Sequence, residues 1–302
     1  MATIMSRPRS RHSPTTVSVP TPALRRWLAS LAARSRSCPY VSRAWPATIA
    51  TCYRHGLQVT ERLPADYANK ATLLAFMRER VANSMVLAGG DATSAEQMIL
   101  ESIATFQKRV DSNPIPRARR ILAVAYRTLA EVQQHNGKDA AALTSMRRSL
   151  QITEVLTAED PKDEQEQIAR QQGLMKEIEL LAANHAMDEA RAETKRALGI
   201  MKPLADGSAL FQHAEDCAQL LATTPFDELR DDAAALQYAR KAVAMTREAD
   251  PDVLHVLALA YERNGDKRLA MEADQKALAM LPAGAPSVFR AALEADVSRL
   301  SK

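Results

Sequence analysis

The stretch Pro251–Pro282 limits the folds open to this chain more than any other feature of the sequence. Leu254, Leu257 and Tyr261 recur at helical spacing and therefore share one face of a helix. Gly265 follows in an Asn-Gly-Asp turn, where glycine accepts the positive φ that ends a helix at little cost. A second helix then runs to the final proline, which stops it. Small residues allow the two helices to pack closely, namely Ala258, Ala270 and Ala277. The stretch predicts one pair of antiparallel helices.

The same unit recurs upstream in weaker form. A small residue occupies the second helix of each unit at intervals of 46, 47, 48, 45 and 35 residues, through Gly56, Ser102, Ser149, Ala197, Ala242 and Ala277. We predict that the helices of each pair turn near Gly90, Gly137, His185, Phe226 and Gly265. One pair cannot bury its own apolar face, so several pairs must stack into a solenoid. An irregular helical bundle is the alternative, because alanine-rich helices resemble one another by chance.

The predicted fold class is therefore all-α, a superhelix of antiparallel helix pairs without strands. We expect a disordered arm over 1–43 and a repeat domain over 44–302, with units at 44–65, 66–112, 113–160, 161–206, 207–250 and 251–284 and a last helix at 286–301. The residues that define the repeat are Gly90, Tyr126, Leu129, Gly137, Ala142, Ala190, Ala197, Ala235, Ala242, Leu254, Leu257, Tyr261, Gly265, Ala270, Ala277 and Pro282.

Composition agrees with an all-helical repeat. Aromatic residues make up 4% of the chain and glycine only 9 of 302 residues, which leaves a mixture of helix formers. No run of about 18 uncharged apolar residues occurs, so the sequence predicts no transmembrane segment. Cys38, Cys52 and Cys217 form no C-x-x-C pair, which favours a reducing compartment such as the cytoplasm. We expect Cys52 and Cys217 to be small buried apolar groups.

Charge is divided unevenly along the chain. The first 60 residues carry nine arginines and no acid, whereas the rest is net acidic. Residues 1–22 are rich in Ser, Thr, Arg and Pro and should be disordered, and Leu24–Ala33 could form a short basic helix around Trp27, Leu28 and Leu31. The arm could serve as a nucleic-acid arm, a contact to an anionic membrane or an organellar presequence. A solvated tail is the simplest interpretation.

The sequence contains no recognisable catalytic motif. Its six histidines are never closer than 28 residues to one another, so no H-E-x-x-H helix or Cys/His cluster can form a zinc site from adjacent sequence. A glycine-rich phosphate loop and a G-x-S-x-G nucleophile elbow are also missing. We therefore predict no catalytic, cofactor-binding or metal residue, and no enzymatic activity.

The order of large, small and turn residues in the last unit resembles the tetratricopeptide repeat (TPR). Two residues depart from that pattern, since Ala258 replaces the usual glycine and Asp274 a large apolar residue. The phrases at 217–223, 229–231, 239–243 and 276–282 are similar to the TPR region that follows the kinase domain in bacterial serine/threonine protein kinases. This resemblance implies binding of other polypeptides. It implies no kinase activity, because the His-Arg-Asp and Asp-Phe-Gly motifs do not occur.

The resemblance also suggests which residues could line a groove on the first helices. These candidates are Arg80, Arg127, Glu131, His135, His255 and Glu262. Glu131 and Glu262 would repel a carboxylate, so the clamp of chaperone-binding TPR proteins is not expected.

We therefore expect a non-catalytic protein-interaction module of the bacterial cytoplasm, without cofactor, whose partner is a protein or peptide. The first alternative is a regulatory remnant of a serine/threonine kinase acting with a separate catalytic chain. The second is a nucleic-acid binder that uses the arginine-rich arm, although nucleic acid is the less expected partner.

Overall fold

The computed structural model describes residues 46–67, 69–87, 90–281 and 288–301. These ranges contain helices and no strand. In chain order the helices are α1 (Pro46–Glu61), α2 (Lys70–Leu87), α3 (Ala92–Ser112), α4 (Pro116–His135), α5 (Asp139–Glu159), α6 (Glu164–Ala183), α7 (Met187–Gly207), α8 (Phe211–Thr223), α9 (Asp232–Thr246), α10 (Pro251–Arg263), α11 (Lys267–Met280) and α12 (Val288–Leu300). A 3₁₀ turn, Asp227–Leu229, precedes α9. The predicted arm at 1–43 and Pro282 lie outside the described residues.

Consecutive helices pack against each other along the whole described chain. The pairs are α2–α3, α4–α5, α6–α7, α8–α9 and α10–α11, flanked by α1 and α12. First helices also contact the first helix of a neighbouring pair, as in α2–α4, α6–α8 and α8–α10. The first helices therefore form the inner side of a superhelix and the second helices its outer side. This arrangement confirms the prediction of an all-α, TPR-like superhelix over an irregular bundle.

Small residues lie where each second helix meets its first helix. The Ser102 hydroxyl of α3 donates to the Ala75 carbonyl of α2 at 2.9 Å. Likewise, the Ser149 hydroxyl of α5 donates to the Ala123 carbonyl of α4 at 2.8 Å. A larger side chain would hold these backbones apart. The repeat-defining alanines are 0% exposed without exception: Ala142, Ala190, Ala197, Ala235, Ala242, Ala270 and Ala277.

The turns within pairs share one hydrogen-bond pattern. Gly137 and Gly265 have φ of 70° and 83°, in the left-handed region that ends a helix. His185 occupies the equivalent position with φ of 61° although it is not glycine. In each turn the next N–H returns to a carbonyl of the first helix, at 2.9 Å from Lys138 to Gln133 and 3.0 Å from Asp266 to Tyr261. Gly90 and Phe226 also lie between paired helices, as predicted.

The apolar core falls into two main clusters. The N-terminal cluster runs from Ala75 to Val132 and includes Phe106, and the C-terminal cluster runs from Ala130 to Leu293. Cys217, on α8, is 0% exposed in the C-terminal cluster. Cys52 is exposed on α1, so the prediction that both cysteines are buried is wrong for this residue. Helical periodicity places Cys52 on a helix, but it does not show whether a neighbouring helix covers that position.

Polar side chains link α4 to α6 between the two clusters. Lys176 Nζ lies 3.0 Å from Glu179 Oε1, and the two side chains are only 5% and 2% exposed. Gln134 of α4 donates to Glu179 at 2.9 Å and accepts from Lys176 at 2.5 Å. Arg120 Nη2 adds a contact of 2.7 Å to Asp163 Oδ2. The superhelix is therefore connected at this step by ionic and amide contacts.

Replacing Ala277 with leucine should lower the free energy of unfolding by about 1–3 kcal/mol, because the added atoms overpack the contact between α10 and α11. Ala277 is 0% exposed and belongs to the same cluster as Leu254 and Leu257. Thermal unfolding measures the effect, and Met280→Leu, at a residue 40% exposed, is the control. A melting curve identical to that of the unmodified chain would contradict the repeat register.

The Glu96 carboxylate should make stability depend on pH. Burial alone would raise the pKa of Glu96, but hydrogen bonds from Lys138, Gln133 and Asn136 outweigh it and lower that pKa. The stabilisation is therefore present above the ordinary value of 4.5 and lost as pH falls through the lowered pKa. Glu96→Ala should cost about 1–3 kcal/mol at pH 7, and its urea-unfolding free energy should fall less on acidification below pH 4.5. An equal acid-induced loss in both chains would contradict this.

Candidate binding surface on the inner helices

The face of α8 turned away from α9 is polar. Ala214, Cys217, Ala218 and Leu221 are at most 1% exposed and pack in the C-terminal cluster. The opposite side of the same helix, by its 3.6-residue period, carries Gln212, Asp216, Gln219 and Thr223, with Glu215 and the buried Leu220 at its two edges. We define the acidic stripe as four polar residues of α8, Gln212, Glu215, Asp216 and Gln219, together with Asp252 and Leu259 of α10.

The stripe is acidic because its helices contribute few cations. Helix α8 contains no Lys or Arg. In α10 the one Arg is Arg263 at the C-terminal end, and its Nε lies 3.2 Å from Asp232. Glu215 and Asp216 are 8% and 5% exposed, and both already interact with other groups of the chain, so a cationic ligand would have to replace those contacts. A carboxylate in such surroundings interacts with a cation more strongly than in water.

The Cys217 thiol lies on the buried face of α8, opposite the stripe. Burial is the main cause that raises its pKa to about 12, and the carboxylates of Asp206, Asp216 and Asp231 raise it further, against an opposing effect of Lys202. Cys217 is therefore a protonated, unreactive thiol at neutral pH.

Buried polar atoms without hydrogen-bond partners gather between α6 and α8. Within the described ranges they include Gln171 Nε2 on α6 and Gln212 Oε1 and His213 Nε2 on α8. His213 is 0% exposed and its Nδ1 contacts Gln171 Oε1. Burial lowers the pKa of His213, so the ring is neutral near pH 7. Uncompensated buried polar atoms are costly, and a ligand that offers donors and acceptors would satisfy them.

Four of the predicted groove residues lie on α2 and α4. Arg80 has a side chain 42% exposed, with Nε 3.3 Å from Glu79 Oε2. Arg127 and Glu131 are half-buried, and His135 is exposed at the end of α4. Arg127 and Glu131 carry opposite charges one helical turn apart, so this part of the inner side has mixed charge.

His255 does not lie open to a ligand, contrary to the groove prediction. It is 5% exposed, and its Nδ1 lies 2.8 Å from Asp274 Oδ1 on α11. The Phe289 ring of α12 meets it edge-on, with centroids 5.7 Å apart. Burial raises the pKa of Asp274, although the His255 hydrogen bond opposes that shift. Asp274 can therefore occupy a position that is usually apolar, because it forms a buried pair with His255.

Glu262 is held by the last helix. Arg299 of α12 binds both of its carboxylate oxygens, through Nη2 at 2.7 Å and through Nη1. Glu262 could serve a groove ligand only if this contact with α12 broke.

Three side chains near α12 have the chemistry of metal ligands. Atoms of His255, Asp274 and Asp296 lie within 4.8 Å of one another. Arg299 Nη2 lies 2.8 Å from Asp296 Oδ1, so a metal ion would have to compete with a guanidinium. The arrangement fits an ion-pair cluster that fixes α12 better than it fits a metal centre.

Sequence reasoning missed the acidic stripe. The signal was present, because α8 lacks basic residues and its polar positions recur at helical spacing. The inner side could not be assigned to these residues before the helices were paired. No helix of the described ranges has the length and apolar character needed to cross a membrane.

Comparisons with known proteins bear on the fold. No family model matches the chain, and neither does any curated protein. Among solved structures it is similar to BtubC (BKLC) from P. vanneervenii, with 16% identity over 78% of this chain and 90% of that chain and a TM-score of 0.51. It is also similar to a thermophilic TPR protein of Thermus thermophilus, with 17% identity over 75% of this chain and 98% of that chain and a TM-score of 0.46. Yeast Tom70 has 11% identity over 85% of this chain and 58% of that chain, with a TM-score of 0.30. At such low identity a likeness shows the fold alone, here a superhelix of paired helices.

Proposed function

We propose that the protein is a non-catalytic scaffold that binds a polypeptide along the inner side of its superhelix. The acidic stripe is the observation that carries this proposal. It places Glu215, Asp216 and Asp252 on neighbouring first helices, α8 and α10, which contact each other. A scaffold of this kind needs no catalytic group, in keeping with the sequence, which offers no catalytic motif.

The negative charge of the acidic stripe determines which kind of partner it can bind. A segment rich in Arg or Lys complements the acidic stripe, and guanidinium groups form short, charge-assisted hydrogen bonds with carboxylates. A partner that presents a C-terminal carboxylate would be repelled by the same groups. Nucleic acid is disfavoured on this surface for the same reason, since its phosphates are negative.

Neutral polar groups beside the carboxylates favour an extended peptide. Gln212 Oε1, on the same helix as Glu215 and Asp216, can accept a hydrogen bond, and Gln171 Nε2, on α6 beside His213, can donate one if the site opens. A peptide backbone supplies both kinds of partner. The regulatory remnant of a kinase is a narrower version of this proposal, in which the bound polypeptide belongs to a separate catalytic chain.

Fluorescence anisotropy with labelled peptides of equal length tests the proposal. An Arg-rich peptide should bind the full chain, with affinity that falls as salt rises, and an acidic peptide should not bind. Glu215→Gln with Asp216→Asn should weaken binding about tenfold or more, which corresponds to roughly 1.4 kcal/mol.

The matched control removes two adjacent acids elsewhere. Asp227→Asn with Glu228→Gln makes the same change in charge at side chains 86% and 58% exposed, outside the stripe. Binding should then stay within about twofold, as expected for exposed charges. Equal binding of the acidic peptide, or equal losses in both double variants, would refute the proposed function.

A further inference from the structure

We propose that a cavity at the contact of α4 and α5 binds a phosphate monoester, a class of ligand that the acidic stripe would repel. The cavity has a volume of about 560 Å³ and is open to solvent. Its lining is polar and comes from one residue of α4 and five of α5: Tyr126, Thr144, Ser145, Arg147, Arg148 and Gln151. The inference goes beyond the proposed function, because the cavity and the acidic stripe share no residue and no helix.

The lining of the cavity is positively charged. Of the described residues that line it, two are arginines and none is Asp or Glu. Arg148 is exposed, and its Nη1 donates to Gln151 Oε1 at 2.6 Å. Within the described ranges it forms no ion pair with a carboxylate. The charge of Arg148 is therefore available to an anion that enters the cavity.

Arg147 is partly engaged on the side of α5 that faces α6 and α7. Its Nε lies 2.8 Å from Glu177 Oε1 and its Nη2 lies 2.7 Å from Glu189 Oε2. Neither glutamate lines the cavity. A guanidinium has further N–H donors, so the two contacts hold Arg147 in place and leave its Nη1 for a ligand.

Two neutral side chains add donors to the lining. The Tyr126 ring packs against the N-terminal cluster, and its hydroxyl bonds to no other described group. Gln151 uses its amide oxygen for Arg148, which leaves its Nε2 to donate. The hydroxyls of Thr144 and Ser145 already donate within the chain, at 3.0 and 2.7 Å. The donors left for a ligand therefore belong to two guanidinium groups, one phenol and one amide, a set that suits an anion.

Charge and size favour a phosphoryl group that is attached to a larger group. The planar fork of arginine matches the oxygens of carboxylate and of phosphate. A phosphate monoester carries about −1.5 to −2 charges at pH 7 and presents three acceptor oxygens, so it can engage both arginines together. Sites for small organic ligands measure roughly 300–1,000 Å³. Inorganic phosphate would fill only a small part of a cavity of this size.

Isothermal titration calorimetry of the full chain with a short phosphoserine peptide tests the proposal. The same peptide with glutamate in place of phosphoserine should bind at least about fivefold more weakly, because it has less charge and fewer acceptor oxygens. Arg148→Ala should weaken binding of the phosphopeptide about tenfold or more, and Arg148→Lys should recover only part of that loss. Tyr126→Phe keeps the ring and removes one donor, so it should weaken binding about threefold.

Two controls separate the cavity from general effects of charge. Arg268→Ala removes an arginine whose side chain is 73% exposed on α11, and it should leave phosphopeptide binding within about twofold. Glu215→Gln with Asp216→Asn changes the acidic stripe and should also leave it within about twofold. Circular dichroism checks that each variant is folded. Loss of phosphopeptide binding in the stripe variant would place the ligand outside the cavity and overturn the proposal.

The source of the phosphoryl group follows from a comparison of probes. Tighter binding of the phosphopeptide than of O-phosphoserine, with both dependent on Arg148, would assign a phosphorylated polypeptide. Equal binding of the two would assign a small phosphate ester. The proposal is overturned if neither probe binds, if the glutamate peptide binds as well as the phosphopeptide, or if Arg148→Ala and Arg268→Ala cause equal losses. None of these results alters the expected binding of the Arg-rich peptide to the acidic stripe, so the two proposals fail separately.

Discussion

Replacing Glu179 with alanine is expected to lower the free energy of unfolding by about 3–5 kcal/mol, which is the usual cost of leaving a buried charge without its partner. Lys176 and Glu179 are 5% and 2% exposed and lie 3.0 Å apart. Gln134 completes the group from α4. Without the carboxylate, the Lys176 ammonium stays buried with one amide oxygen as its remaining acceptor. The loss should be measurable by urea denaturation.

The paired variant distinguishes charge from volume. Lys176→Met with Glu179→Leu removes both charges and keeps similar volume, so it should be near neutral or more stable than the unmodified chain. Glu272→Ala breaks the exposed pair with Arg268 and should change stability by less than about 0.5 kcal/mol. If Glu179→Ala costs no more than Glu272→Ala, the buried link between α4 and α6 is wrong.

Phe106→Ala should cost about 3–5 kcal/mol in the N-terminal cluster. Phe106 is 2% exposed and packs on Phe76 with ring centroids 5.1 Å apart. Solenoid units couple mainly to their neighbours, so hydrogen exchange should accelerate in α2–α4 while α8–α11 keep their protection. Phe106→Leu, which leaves a smaller cavity, should show the same pattern with a smaller effect. Equal acceleration along the whole chain would contradict the division into two clusters.

The helix pairs could be predicted from the sequence because their signals are local. The turn at Gly265 separates α10, which ends at Arg263, from α11, which begins at Lys267. The turn at Gly137 separates α4 from α5 in the same way. Glycine, asparagine and apolar periodicity act within a few residues, so one sequence is enough to read them.

Pairing between distant polar residues could not be predicted in this way. The sequence analysis assigned His255 to a groove and treated Asp274 as a departure from the repeat. In the structure the two side chains form a hydrogen-bonded pair although they are 19 residues apart in the sequence. Apolar periodicity shows which face of a helix is buried, but it does not show that two polar residues share one buried position. The Arg299–Glu262 contact was missed for the same reason, because α12 must first fold back on α10.

The central claim is that the acidic stripe of α8 and α10 binds a basic polypeptide in preference to an acidic one. Reversing the charge of the stripe tests this claim most directly. Glu215→Lys with Asp216→Lys should transfer binding of the full chain from the Arg-rich peptide to the acidic peptide. Asp227→Lys with Glu228→Lys introduces the same charges outside the stripe and should leave the preference for the Arg-rich peptide intact. Folding is checked by circular dichroism in each variant. Reversed preference in the first variant alone is the predicted result, and continued preference for the Arg-rich peptide by a folded first variant would contradict the claim.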